Sequence, residues 1–97
     1  MFIQALPFDI GETIYTIPSY VNFKLNVLNG YSENNKVYTQ KIESITFTKD
    51  GWYIECDKDK EYDNGEIYRD KAFKKIWFLS KGEADKRLKE MEKENNE

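Results

Sequence analysis

Hydrophobic and polar positions alternate with a period of two in several stretches between residues 12 and 56, and a helical period is found near the end of the chain. Residues 1–9 are apolar but interrupted by Pro7, which suits an arm or a short edge strand. Gly11 precedes a stretch rich in β-branched residues, 12–17, and Pro18 closes it, so this stretch is read as a strand. In residues 19–35, Val21, Phe23, Leu25 and Val27 are apolar at every second position, with Asn22, Lys24 and Asn26 between them. That period predicts a strand with one buried face. A helix is the weaker alternative, because the asparagines and Phe23 lower helix propensity. Asn29-Gly30 and then Ser32, Glu33, Asn34 and Asn35 supply turn chemistry, so residues 19–35 are taken as a long hairpin loop.

Residues 36–48 read as a long strand whose apolar parity changes midway. Ile42 is on the even face, whereas Ile45 and Phe47 are on the odd face. A bulge near Glu43 and Ser44, or a strand shared by two halves of a barrel, reconciles the two parities. Asp50-Gly51 suits a two-residue type I′ turn. With that turn, Phe47 faces Ile54, Ile45 faces Cys56 and Thr46 faces Glu55, which places Phe47, Trp52 and Cys56 in the core. A charged loop at 57–65 separates this hairpin from short strands at 66–69 and 75–79. Ser80 and Glu83 have the spacing of a capping box, and a helix follows to about residue 93. Ala84, Leu88 and Met91 form its apolar stripe. Glu83/Arg87, Asp85/Lys89 and Lys86/Glu90 are opposite charges four residues apart.

These elements predict one domain over residues 1–97. Its class is mainly β (α+β): a small SH3-like antiparallel barrel of five to six strands with one C-terminal helix. The barrel is the natural way to bury both parities of the long strand.

Composition narrows the chemistry. The 97 residues include no histidine, which excludes imidazole-based triads and histidine-ligated metals. The single cysteine excludes an internal disulfide, and without an activating histidine Cys56 reads as a small buried hydrophobe. Asp57, Asp59, Glu61, Asp63 and Glu66 could gather a cation, but Tyr62 stands where a calcium loop needs glycine, and Lys58 and Lys60 offset the charge. The five glycines form no phosphate-binding motif. No catalytic, cofactor or metal site is therefore expected, and the chain reads as a non-enzyme.

The formal net charge is −3, and it is unevenly spread. Residues 1–48 hold only three of the 15 Lys and Arg and four of the 18 Asp and Glu. The first residues lack a basic lead and a long apolar run, and no membrane segment stands out. Together with the lone cysteine, this suits a cytoplasmic setting. The only compact basic cluster is Lys71, Lys74 and Lys75.

The segments IGETIYTIPS (10–19), NNKVYTQKIESITF (34–47) and KIWFLSKGEADKRLKE (75–90) resemble a group of small uncharacterised proteins. These are carried by phages, prophages and mobile elements of Gram-positive bacteria, Clostridia above all. The group shares a GDTVY-I first strand, a V-I central strand and an FLT-EEA---L strand-to-helix finish. The resemblance spans roughly residues 10–92 and departs at Gly82, where the group tends to carry an acid. It implies a barrel, a host bacterial cytoplasm and a phage or mobile-element setting, and it carries no catalytic residues.

With no catalytic equipment, the tyrosines are the most suggestive residues. Exposed Tyr gives rigid contact area with a polar tip, although several could equally cover the ends of a barrel. The expected partner-binding set is Tyr20, Tyr31, Glu33, Asn34, Asn35, Tyr53 and Tyr62. The function expected first is noncatalytic binding and inhibition of a host protein or defence complex, in the manner of anti-CRISPR proteins. A nucleic-acid-binding barrel and a phage structural or assembly protein are the alternatives.

Overall fold

The computed structural model describes residues 6–57 and 67–95. Five strands, β1 (Thr13–Thr16), β2 (Tyr38–Thr48), β3 (Gly51–Cys56), β4 (Ile67–Arg69) and β5 (Trp77–Phe78), form one antiparallel sheet in the order β4-β3-β2-β1-β5. Two α-helices accompany it, α1 (Tyr20–Leu28) and α2 (Lys81–Asn95). The expected barrel is not formed. The sheet is open, and among the described residues β4 and β5 do not pair with each other.

The parity problem of the long strand is solved by a bulge and by sharing. The register between β2 and β3 shifts between Ile42 and Ser44, so one residue is added at Glu43, as the change of parity predicts. The first part of β2, Tyr38 to Lys41, pairs with β1, and the remainder pairs with β3 on its other side. One strand thus serves two half-sheets, which lets the sheet curl without closing.

The β2–β3 hairpin differs from the sequence expectation in register. Thr48 pairs with Gly51, Phe47 with Trp52, Thr46 with Tyr53 and Ile45 with Ile54. The two-residue loop is therefore Lys49-Asp50, not Asp50-Gly51. The face of each residue is unchanged, because every partner moves by an even number. Ile45, Ile54 and Cys56 still point inward, but Cys56 now opposes Ile42 across the bulge. Phe47 is carried beyond the end of the core and is 63% exposed, which corrects its expected core position, and Trp52 is half-buried. The turn dipeptide misled because Gly51, at φ 134°, takes its unusual conformation as the first residue of β3.

Residues 19–28 are the second correction. Ser19 caps α1 by accepting the Asn22 N–H on its hydroxyl at 3.3 Å, and Pro18 just before it stops β1. At the other end, Asn29 donates to Leu25 O at 3.0 Å, and Gly30 follows with φ 80°. A capped helix of nine residues satisfies this backbone internally. A strand there would need a neighbour for its whole ladder.

Two apolar clusters lie on opposite sides of the β1–β5 half-sheet. One gathers Phe8, Ile14, Ile42, Ile54, Cys56, Tyr68 and Trp77, all buried. Its rings pack closely: Phe73 stacks on Trp77 at 4.5 Å between centroids, and Phe8 lies 5.2 Å from Trp52 and 5.4 Å from Trp77. The Trp77 indole N–H donates to Arg69 O at 3.1 Å, so burying it leaves no orphan donor. The other cluster is Ile17, Phe23, Phe78, Ala84, Leu88 and Met91, and it joins α1 and α2 to the sheet. Trp77 and Phe78, adjacent in β5, each feed a different cluster, as the strand period requires. Helix α2 begins with the serine half of the expected capping box, Glu83 N–H donating to the Ser80 hydroxyl at 3.2 Å. Arg87 pairs with Glu90 and Glu94 at 3.2 and 3.5 Å rather than with Glu83.

Candidate functional site

Helix α1 is short and amphipathic in an unusual sense. It buries only Phe23 completely, toward the cluster shared with α2. One and two turns apart on the other side, Val21, Leu25 and Leu28 form a ridge that is 67%, 48% and 80% exposed. Tyr31, 56% exposed, extends this apolar surface past the helix end. The only charged residue in α1 is Lys24, whose ammonium lies 4.5 Å from the centre of the Tyr20 ring. By contrast, α2 covers its solvent side with Lys, Arg, Asp and Glu. An exposed, nearly uncharged ridge of large aliphatic residues is costly in water and is a feature of contact surfaces.

The segment after α1 is held against it by specific hydrogen bonds. Asn35 donates from Nδ2 to Phe23 O at 3.2 Å, and its Oδ1 accepts from Asn26 Nδ2 at 2.8 Å. The Tyr38 hydroxyl donates to Asn34 O at 2.9 Å. A single 3₁₀ turn, Ser32–Asn34, results. Between this turn, α1 and the end of α2 lies a cleft of about 260 Å³, lined by Phe23, Val27, Ser32, Asn35, Glu92 and Asn95. The segment that carries Tyr31 is thus tied back to α1 and β2 by side-chain hydrogen bonds.

The residues expected from the sequence divide accordingly. Tyr31 and Glu33 are exposed beside the ridge. Asn34 is exposed, but its carbonyl is engaged by Tyr38. Asn35 is a structural bracket with both ends of its amide used. Tyr20 is half-buried against the α2 cluster. Tyr53 lies in the β2–β3–β4 ladder opposite Thr46 and Arg69, and it points away from the inward face. Tyr62 and most of the acidic run fall outside the described residues. The described member of that run, Asp57, uses its carboxylate to accept the Lys41 N–H at 2.9 Å.

The period of two puts Val21 and Leu25 on a buried strand face and leaves Leu28 out, so it does not point to this ridge. The ridge residues' spacing of four and three, bracketed by Pro18-Ser19 and Asn29-Gly30, was the signal that could have found them. Among the described residues no group of three or more acids and cysteines is placed to hold a metal, and Cys56 is fully buried. No described helix is long and apolar enough to cross a membrane. Compared with known proteins, the chain matches no family model, no curated protein and no solved structure.

Proposed function

We propose that this chain is a noncatalytic protein-binding module of a phage or mobile element that inhibits a host protein by occluding one of its surfaces. The observation that carries the reading is the exposed ridge Val21–Leu25–Leu28 on α1, continued by Tyr31. Such a ridge fits a hydrophobic groove, with anchors one helical turn apart. The resemblance of three segments to phage and mobile-element proteins supports the setting.

The test is affinity capture from a bacterial host lysate with the wild-type chain and with Leu25→Asp and Leu28→Asp. The expected result is a stoichiometric host protein that both variants release, with affinity reduced at least about thirtyfold, as for loss of a hot-spot contact. Circular dichroism must show that the variants remain folded. Capture that both variants retain would overturn the reading. So would a concentration-dependent dimer abolished by Leu25→Asp, because a second copy would then occupy the ridge.

A further inference from the structure

The β2–β3 hairpin brings together basic residues that are far apart in sequence. Its loop is Lys49-Asp50, and the next residue, Gly51, lies directly against the Asp70 carboxylate. Arg69 precedes Asp70 and pairs across the ladder with Tyr53. Lys71 follows Asp70 in a 3₁₀ turn, Asp70–Ala72, and Lys74 and Lys75 complete the bend into β5. Lys49, Arg69, Lys71, Lys74 and Lys75 are all exposed, and none has an ion-pair partner among the described residues.

Among the described residues, two carboxylates, Asp50 and Asp70, stand with these five cations. Asp70 is half-buried against Gly51 and accepts the Lys71 N–H at 2.8 Å, so it serves the backbone. Asp50 is at the loop itself. A chain of net charge −3 thus carries a cation-rich end. The same end presents an aromatic ring, since Phe47 is one residue inside the hairpin tip and 63% exposed. Lys74 holds φ 65°, a left-handed conformation that glycine or asparagine adopts at lower cost, and its ammonium lies 5.7 Å from the Phe73 ring centre.

We infer that this hairpin end binds a single strand of nucleic acid, its Lys side chains meeting phosphates and the Phe47 ring stacking on a base, while Arg69 shares the opposite face with Tyr53 and takes no part. Cations neutralise the backbone without regard to sequence, and an exposed ring offers a face to any unpaired base. A duplex keeps its bases stacked and would leave the ring unused. An acidic protein would satisfy the cations but would not need the ring. The surface is distinct from the α1 ridge, so it stands or falls independently of the protein-binding reading.

The experiment is fluorescence anisotropy of labelled oligothymidylate and oligouridylate, about 16 nucleotides long, the upper end of what one small β domain covers. The expected result is binding at low salt with a log–log salt slope of about −2 to −3, given about −0.7 per phosphate neutralised on a single strand by three or four lysines. Lys71→Glu, Lys74→Glu and Lys75→Glu combined should abolish it. Phe47→Ala should weaken it at least about fivefold, the lower bound for losing one stacked base. Leu25→Asp on α1 should leave it unchanged. The inference is overturned by absence of binding at low salt, or by binding that survives the triple charge reversal. It is equally overturned if a duplex of the same length or polyglutamate binds as tightly as the single strands.

Discussion

Replacing Ile54 and Phe47 by alanine, one at a time, separates the observed hairpin register from the one that the Asp50-Gly51 dipeptide suggests. Both side chains are on the inward face, but only Ile54 is fully covered, at 0% exposure, packed with Cys56 and Tyr68. Truncating a buried isoleucine removes its transfer free energy and leaves a cavity, so Ile54→Ala should cost about 3–4 kcal/mol. Phe47 is 63% exposed, so little more than a third of its surface is withdrawn from water. Full burial of phenylalanine contributes about 1.5–3 kcal/mol, so the covered part contributes about 0.5–1 kcal/mol. In a domain of this size about 1 kcal/mol corresponds to a shift in Tm of roughly 4–8 °C. Ile54→Ala should therefore lower Tm by more than about 12 °C, and Phe47→Ala by less than about 8 °C. Urea and thermal unfolding followed by fluorescence of Trp52 and Trp77 measure both. If Phe47→Ala cost about 3 kcal/mol or more, as a buried aromatic does, the ring would have to be in the core and the register assigned here would be wrong.

Three further substitutions and one chemical probe test other parts of the fold. Gly51→Ala should destabilise by more than about 1 kcal/mol, because φ is 134° and the added methyl meets the Asp70 carboxylate; Gly82→Ala, in the open first turn of α2, should instead stabilise by about 0.5–1 kcal/mol, and matched thermal melts compare them. Ser80→Ala should cost about 1 kcal/mol through loss of the bond from Glu83 N–H, a change that urea titration resolves. Cys56, fully buried, should resist a thiol reagent in the native protein and react only after denaturation; prompt native reaction would contradict its place beside Ile42 and Ile54.

Much of the sheet and the whole of α2 were legible in the residues, because local rules and tertiary packing agree there. β1 lies between a glycine and a proline, and α2 follows a serine cap with an apolar stripe at Ala84, Leu88 and Met91. The parity change in β2 called for a bulge near Glu43 and Ser44 or a strand shared by two halves of a barrel, and a bulge lies between Ile42 and Ser44. These features depend on neighbours in the chain, and the period of the apolar residues is long enough to identify them.

The rest required contacts at a distance. Over nine residues, a period of two through Val21, Phe23, Leu25 and Val27 and a helical period through Val21, Leu25 and Leu28 fit the same letters. Space against α2 for Phe23, and caps at both ends, decide for the helix, and that choice creates the exposed ridge. The hairpin loop moved by one residue because Gly51 is needed where Asp70 packs, a neighbour supplied by a segment nearly twenty positions onward. Sheet closure was likewise a tertiary matter: the bulge turns Ile42 and Ile45 into one cluster, and the two helices cover the other side of the β1–β5 half-sheet, so the sheet stays open. Periodicity along the chain reports which side chains avoid water together. It cannot report which distant segment covers them, and that covering is what left α1 with an open apolar face and gathered the cations at the hairpin end.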